Sequence, residues 1–107
     1  MAGGGVRLRP AVTEIQPMLT WDETKREKNL TKHGIDLADC GAVFDQYMIT
    51  REDTREAYGE MRLQSIGLLG ELVVFLVWVD RPSGPHVISC RKADRHERKI
   101  YAQALGH

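Results

Sequence analysis

The apolar and polar positions of this 107-residue chain fall into stretches of different period. Residues 1 to about 17, MAGGGVRLRPAVTEIQP, mix glycine, proline and scattered apolar residues with no period, which predicts a disordered leader ahead of a single domain at 18–107. Two readings of the leader stay open: a translation start at Met18, or a genuine mobile arm ahead of the domain. Strong helix formers then run up to Gly34, a natural residue just past a helix end, and Thr20 with Glu23 has the spacing of a capping box. These signals predict a first helix over 22–32. Leu37, Cys40, Val43 and Phe44 recur at helical spacing behind Asp36 and Asp39, predicting a short second helix over 37–44. QYMIT reads as a brief strand, and the polar stretch REDTREAYG as an exposed, mobile loop.

From Glu60 the period becomes two. Met61 and Leu63 point one way and Arg62 and Gln64 the other, as in a strand with one face on the core. LLGE turns the chain, and LVVFLVWV at 72–79 is apolar throughout, as a central strand covered on both faces should be. DRPSGP is a dense turn cluster. In the following strand, HVISCR, strict alternation puts Val87, Ser89 and Arg91 on one face and His86, Ile88 and Cys90 on the other. Asp94 and Glu97 mark a third helix start, running from about Arg95 to Ala104, and both are read as helix-start residues rather than ion-pair partners. The order is two N-terminal helices, a four-stranded antiparallel sheet and a C-terminal helix, an α+β sandwich.

Composition adds bounds. With 42% hydrophobic and 28% charged residues the domain is ordinary globular material, sized for one core and one working face. The formal net charge is zero, yet residues 36–60 hold seven acids against Arg51 and Arg55, while 81–107 hold six Lys or Arg against Asp94 and Glu97. The surface is therefore dipolar. Cys40 and Cys90 lack metal-ligand spacing and read as buried free thiols. No run is long enough to span a bilayer and no secretion signal opens the chain, so a cytoplasmic location without membrane contact is expected.

Clustered carboxylates for two metals, HExxH, GxxxxGK[ST] and GxGxxG are all missing from the sequence, so neither metal nor cofactor is expected. What stands out is ISCRKADRHERK at 88–99. Arg91 leaves the last strand beside Ser89, Lys92 follows, and Arg95 and Arg98 lie on adjacent turns of a helix whose N-terminus itself favours anions. Should the sheet bring Arg62 near Arg91, two guanidinium forks would hold one phosphate. Such a cluster suits RNA cleavage in which the ribose 2′-hydroxyl attacks the adjacent phosphate. His33, with an ordinary pKa near neutrality and a helix C-terminus favouring its protonated form, Lys32 and Glu60 are the candidates for proton transfer. Lys99, with His96, belongs to the exposed basic surface. A non-catalytic reading stays open: the same basic face docks a protein or nucleic acid and breaks no bond.

The segments LTWDETKREKNLTKHGIDLADCGAVFD, GEMRLQSIG and VISCRKADRHERKIYAQAL, in that order over residues 19–104, resemble the BrnT family of ribonuclease toxins of type II toxin–antitoxin systems. The motif falls on Trp21, Asp22, Asn29, Lys32, His33 and Gly34, on Glu60, Arg62 and Gly67, and on Ser89, Arg91, Ala93, Arg95, Glu97, Arg98 and Tyr101. Asp94, His96 and Met61 depart from it in ways that lower the local positive potential. The resemblance implies a RelE-like fold and an endoribonuclease that inhibits translation. The residue reading and the resemblance together lead to an expected catalytic set of Lys32, His33, Glu60, Arg62, Arg91 and Arg95, with Ser89, Lys92, Arg98 and Lys99 expected to bind RNA. It also implies a BrnA-like ribbon-helix-helix antitoxin, forming a hetero-oligomer that binds operator DNA through the antitoxin.

Overall fold

A computed structural model describes residues 18–55 and 59–106, so the predicted leader lies outside the described residues. In chain order the elements are β1 (Thr20–Trp21), α1 (Glu23–His33), a 3-10 helix (Leu37–Asp45), β2 (Ile49–Asp53), β3 (Arg62–Leu69), β4 (Leu72–Arg81), β5 (Gly84–Lys92) and α2 (Arg95–Ala104). The sheet order is β1-β5-β4-β3-β2, with β1 parallel to β5 and every other pair antiparallel. The α+β class, the three helical segments and the antiparallel four-strand unit match the sequence reading. The fifth strand is an addition, since two residues carry no alternation to read. Thr20 pairs with His86 through backbone register and through its hydroxyl, 2.8 Å from Nδ1.

Because Thr20 is used in the sheet, Asp22 caps α1 instead, accepting from the Lys25 N–H at 3.1 Å. Gly34, at φ 71°, ends the helix as expected. The second helix is a 3-10 helix rather than an α-helix. Its buried residues Leu37, Cys40 and Val43 recur every third position, the eclipsed row of a three-residue turn. This helix presses on β3 at Gly67, where an added Cβ would sit 2.7 Å from Val43 Cγ1 and 3.2 Å from Met48 Cγ. Gly67→Ala should therefore cost about 1–3 kcal/mol through overpacking, read as a lower urea midpoint, and an unchanged midpoint would show that the helix yields freely.

Two further expectations are corrected. The strand placed over QYMIT is shifted three residues, to Ile49–Asp53, keeping Ile49 and Thr50 and running into the stretch read as a loop. Its polar side chains are satisfied across the pair: Thr50 with the Ser65 hydroxyl at 2.7 Å, and Arg51 Nε donating to Gln64 Oε1 at 2.8 Å. In β5 the register slips between Val77↔Ser89 and Trp78↔Val87, leaving Ile88 as the extra residue of a bulge. Val87 thereby joins Cys90 on the core face, and Ser89 and Arg91 keep the opposite face to themselves.

The core lies on one side of the sheet, where Val74, Leu76, Trp78, Val87 and Cys90 meet Ile35, Leu37, Cys40 and Val43. Phe44 packs edge-on against Trp78 with centroids 4.8 Å apart, and the Trp78 indole donates to Ser65 Oγ at 2.8 Å. Both cysteines are free and buried. The other side of the sheet is covered in part by α2, whose buried Tyr101 donates its hydroxyl to the Tyr47 carbonyl at 2.9 Å. Among the described residues no helix is long and apolar enough to cross a membrane.

Candidate active site

The uncovered part of that second face is a concavity of about 450 Å³. Strand register builds its floor. Arg51, Gln64, Val77 and Ser89 are successive cross-strand partners, and Ile66, Phe75 and Arg91 form the next such row. The last turn of α1 brings Lys32 and His33 to one rim, Arg55 enters from beyond β2, and Glu97 of α2 closes the opposite side.

What places the end of α1 here is Asn29, a buried residue to which the sequence reading gave no role. Its Nδ2 donates to the Cys90 carbonyl at 2.8 Å and the Ile35 carbonyl at 2.9 Å, and its Oδ1 accepts the Cys90 N–H at 3.0 Å. The amide thus stands in for a strand residue against β5, at the position between Ser89 and Arg91. Lys32 and His33, one turn further along α1, are held to the same part of the strand.

Arg91 is fixed on three sides, one of them the Lys92 carbonyl, which accepts from Nη1 at 3.2 Å. Both terminal nitrogens donate to Glu97, at 2.8 and 2.9 Å, and the guanidinium carbon lies 4.3 Å from the Phe75 ring centroid. The pairing raises the Arg91 pKa and lowers that of Glu97. Glu97 does more than the sequence suggested. It forms the capping box with Asp94, each accepting the other's backbone N–H at 2.8 Å, and is also the ion-pair partner of Arg91, so the reading of Glu97 as a helix-start residue alone is corrected. One carboxylate thereby ties the start of α2 to the orientation of the site's central guanidinium.

His33 also departs from expectation. Partial burial, then the charges of Lys32 and Arg91, push its pKa below the ordinary 6.5, so the neutral form dominates at neutral pH despite the helix C-terminus. Arg51 is braced by Gln64, and Arg55 grips Asp53 with bonds of 2.8 and 2.7 Å, holding that buried carboxyl well below the usual carboxylate range.

Of the residues singled out from sequence, Lys32, His33, Ser89 and Arg91 line the concavity. Glu60 does not, being exposed and paired with Arg81 at 3.2 Å. Arg62 does not join Arg91 either. It stands opposite Asp53, four residues along β3 from Ile66, whose row carries Arg91, an offset of roughly 13 Å at strand rise. Arg51 and Arg55 are the guanidiniums brought to the concavity in its place. Arg95 and Lys99 are exposed outside it, Arg98 donates to the Ala93 carbonyl at 2.8 Å, and Lys92, opposite Val74, has the parity of the core face. The sequence reading passed over Arg51, Arg55, Gln64, Phe75 and Val77. No apolar alternation marks the strand there, because Thr50, Arg51, Glu52 and Asp53 are all polar.

The sequence pattern of the ribonuclease toxin BrnT of type II toxin–antitoxin systems matches residues 21–97. This chain belongs to the BrnT family. The match spans every residue lining the concavity, from Lys32 to Glu97. The fold is similar to the 1.1 Å crystal structure of the Brucella abortus ribonuclease toxin, BrnT, with a TM-score of 0.55 and 31% identity, covering 72% of this chain and 96% of that one. No curated protein matches the chain. As a BrnT ribonuclease toxin of a type II system it has RNA as its substrate class and an antitoxin as its partner.

Proposed function

We propose that the concavity is the ribonuclease centre and that it cleaves RNA with its own side chains, without a metal. The observation that carries this reading is the electrostatics of the lining. Lys32, Arg51, Arg55 and Arg91 surround a histidine kept neutral, and the one carboxylate among them, Glu97, is committed to Arg91. Such a lining attracts a phosphodiester and repels a divalent cation. Neutral His33 takes the proton of the ribose 2′-hydroxyl as its oxygen bonds to phosphorus, and the bond to the 5′-oxygen breaks with a proton from Lys32. The products are a 2′,3′-cyclic phosphate and a 5′-hydroxyl. Arg91, with Arg51 and Arg55, stabilises the charge that builds on the phosphoryl oxygens. Translation falls as RNA is cut, and a BrnA-like ribbon-helix-helix antitoxin neutralises the chain by laying acidic residues over the concavity, in a hetero-oligomer that binds operator DNA through the antitoxin.

The chain purified free of antitoxin should cleave RNA in EDTA and leave cyclic phosphate ends. Because the base must be neutral, kcat/KM should rise with pH through a value below 6.5, the ordinary histidine pKa, and be level by pH about 7. His33→Ala should remove that acid limb together with about 10²–10⁴ of the rate. Intact RNA in EDTA, or an acid limb untouched by the substitution, contradicts the reading.

A further inference from the structure

A second groove of about 320 Å³ runs from the concavity under the start of α2. Its walls are apolar, formed by Ile49, Ile66, Phe75 and Ile100, and it shares Arg51, Gln64, Phe75 and Glu97 with the concavity. Nothing in the proton transfers or the phosphate contacts uses this space. In RNA, the base hangs one ribose away from the phosphate that is cut. Because Arg91 contacts Phe75 and Glu97, both of which line this groove, a phosphate at Arg91 leaves a neighbouring base within reach of it. Apolar walls supply stacking and dispersion contact that any base can use.

The polar edge makes a choice among bases. Arg51 spends its Nε on Gln64 Oε1 at 2.8 Å, which leaves the Arg51 terminal nitrogens and the Gln64 amide nitrogen as donors, while the carboxylates of Asp94 and Glu97 and the His96 ring also line the groove. Guanine presents two adjacent acceptors, O6 and N7, to those donors and an N1–H and an amino group to a carboxylate, whereas adenine places a donor beside its N7. Resting on the ribonuclease reading above, we infer that the groove is a nucleobase subsite that selects guanine beside the scissile phosphate. Arg51 then works at the junction of both sites, and its bond to Gln64 sets the direction in which its donors point.

The test uses the antitoxin-free chain and oligoribonucleotides that present every dinucleotide step in one otherwise constant sequence. Steps with guanine on one fixed side of the cleaved bond should be cut about 10- to 100-fold faster than the rest. Replacing that guanine by an abasic ribonucleotide should remove the advantage. Ile100→Trp, which fills the groove from α2, should cut all steps at the slow, level rate. Equal cutting of all steps by the wild-type chain overturns the subsite and leaves the ribonuclease reading standing, whereas no cutting of any step overturns both. A preference for another base overturns the selection of guanine. Ile100→Trp with an intact guanine preference but weakened antitoxin binding on gel filtration assigns the groove to the partner protein and overturns the inference.

Discussion

Arg91→Ala should lower the rate of RNA cleavage by about 10²–10³, the loss that follows removal of one preorganised donor from a charge-developing centre and equal to about 2.7–4 kcal/mol of transition-state stabilisation. The fold should survive, because Glu97 keeps its reciprocal bonds with Asp94 and the α2 capping box does not depend on the guanidinium. The loss has two sources. The phosphoryl oxygens lose a bidentate donor, and the Glu97 carboxylate, stripped of its partner, faces the approaching phosphate with its charge uncompensated. Arg91→Lys should recover little, since an ammonium cannot make two parallel bonds to Glu97 while lying flat over Phe75. Glu97→Gln should cost about tenfold, by loosening a group whose misplacement is penalised steeply. Purified variants compared by cleavage rate and by thermal melting give the answer, with growth inhibition on expression as a second readout. An Arg91→Ala chain that melts like wild type and still cleaves at nearly the wild-type rate would show that Arg91 only docks a partner, as the non-catalytic reading of the basic segment has it.

The contrast between Arg91 and Arg62 shows which parts of the site were legible in sequence. Arg91 stands beside Ser89 near a helix start, and each of those relations is local, so strand parity and the Asp94–Glu97 spacing were enough to find it. Whether Arg62 reaches Arg91 depends on register across two intervening strand pairs, and no local pattern records register. The same holds for Arg51. It lies on an edge strand whose polar residues are satisfied by cross-strand bonds to Gln64 and Ser65, and those bonds exist only once the hairpin has closed. Val87 failed for another reason: one extra residue at Ile88 reverses the parity of everything before it. Leu37, Cys40 and Val43 carried the signal for a tighter helix in their three-residue spacing, but Phe44 beside them suits the wider turn equally well. Fold class was readable because it follows from the order of periods along the chain. The candidate site was half readable because it sits where elements distant in sequence meet.

Asn29→Leu should be the most destabilising single change outside the apolar core. The side chain is nearly isosteric, so packing is retained, but the Cys90 N–H, the Cys90 carbonyl and the Ile35 carbonyl all lose their partner in a buried setting. Each orphaned group costs roughly 1–3 kcal/mol, so a loss of about 3 kcal/mol or more is expected from a total stability on the order of 5–15 kcal/mol. Asn29→Asp should be no better at neutral pH. One carboxylate oxygen still accepts from Cys90, while the other is turned towards two carbonyls with no proton to give. Because a carboxyl in that place has its folded pKa raised, the Asn29→Asp variant should recover stability as the pH falls and the protonated acid donates one of the missing bonds. Urea denaturation across pH separates these cases. Function should follow stability here more closely than at Arg91, because the Asn29 amide is the link between β5 and the helix that carries Lys32 and His33. Under conditions where the Asn29→Leu variant is still folded, its cleavage rate should fall with KM little changed, as the two proposed proton-transfer groups lose their register against Ser89 and Arg91. An Asn29→Leu variant with wild-type stability and wild-type rate would show that α1 is held to the sheet by its apolar contacts alone.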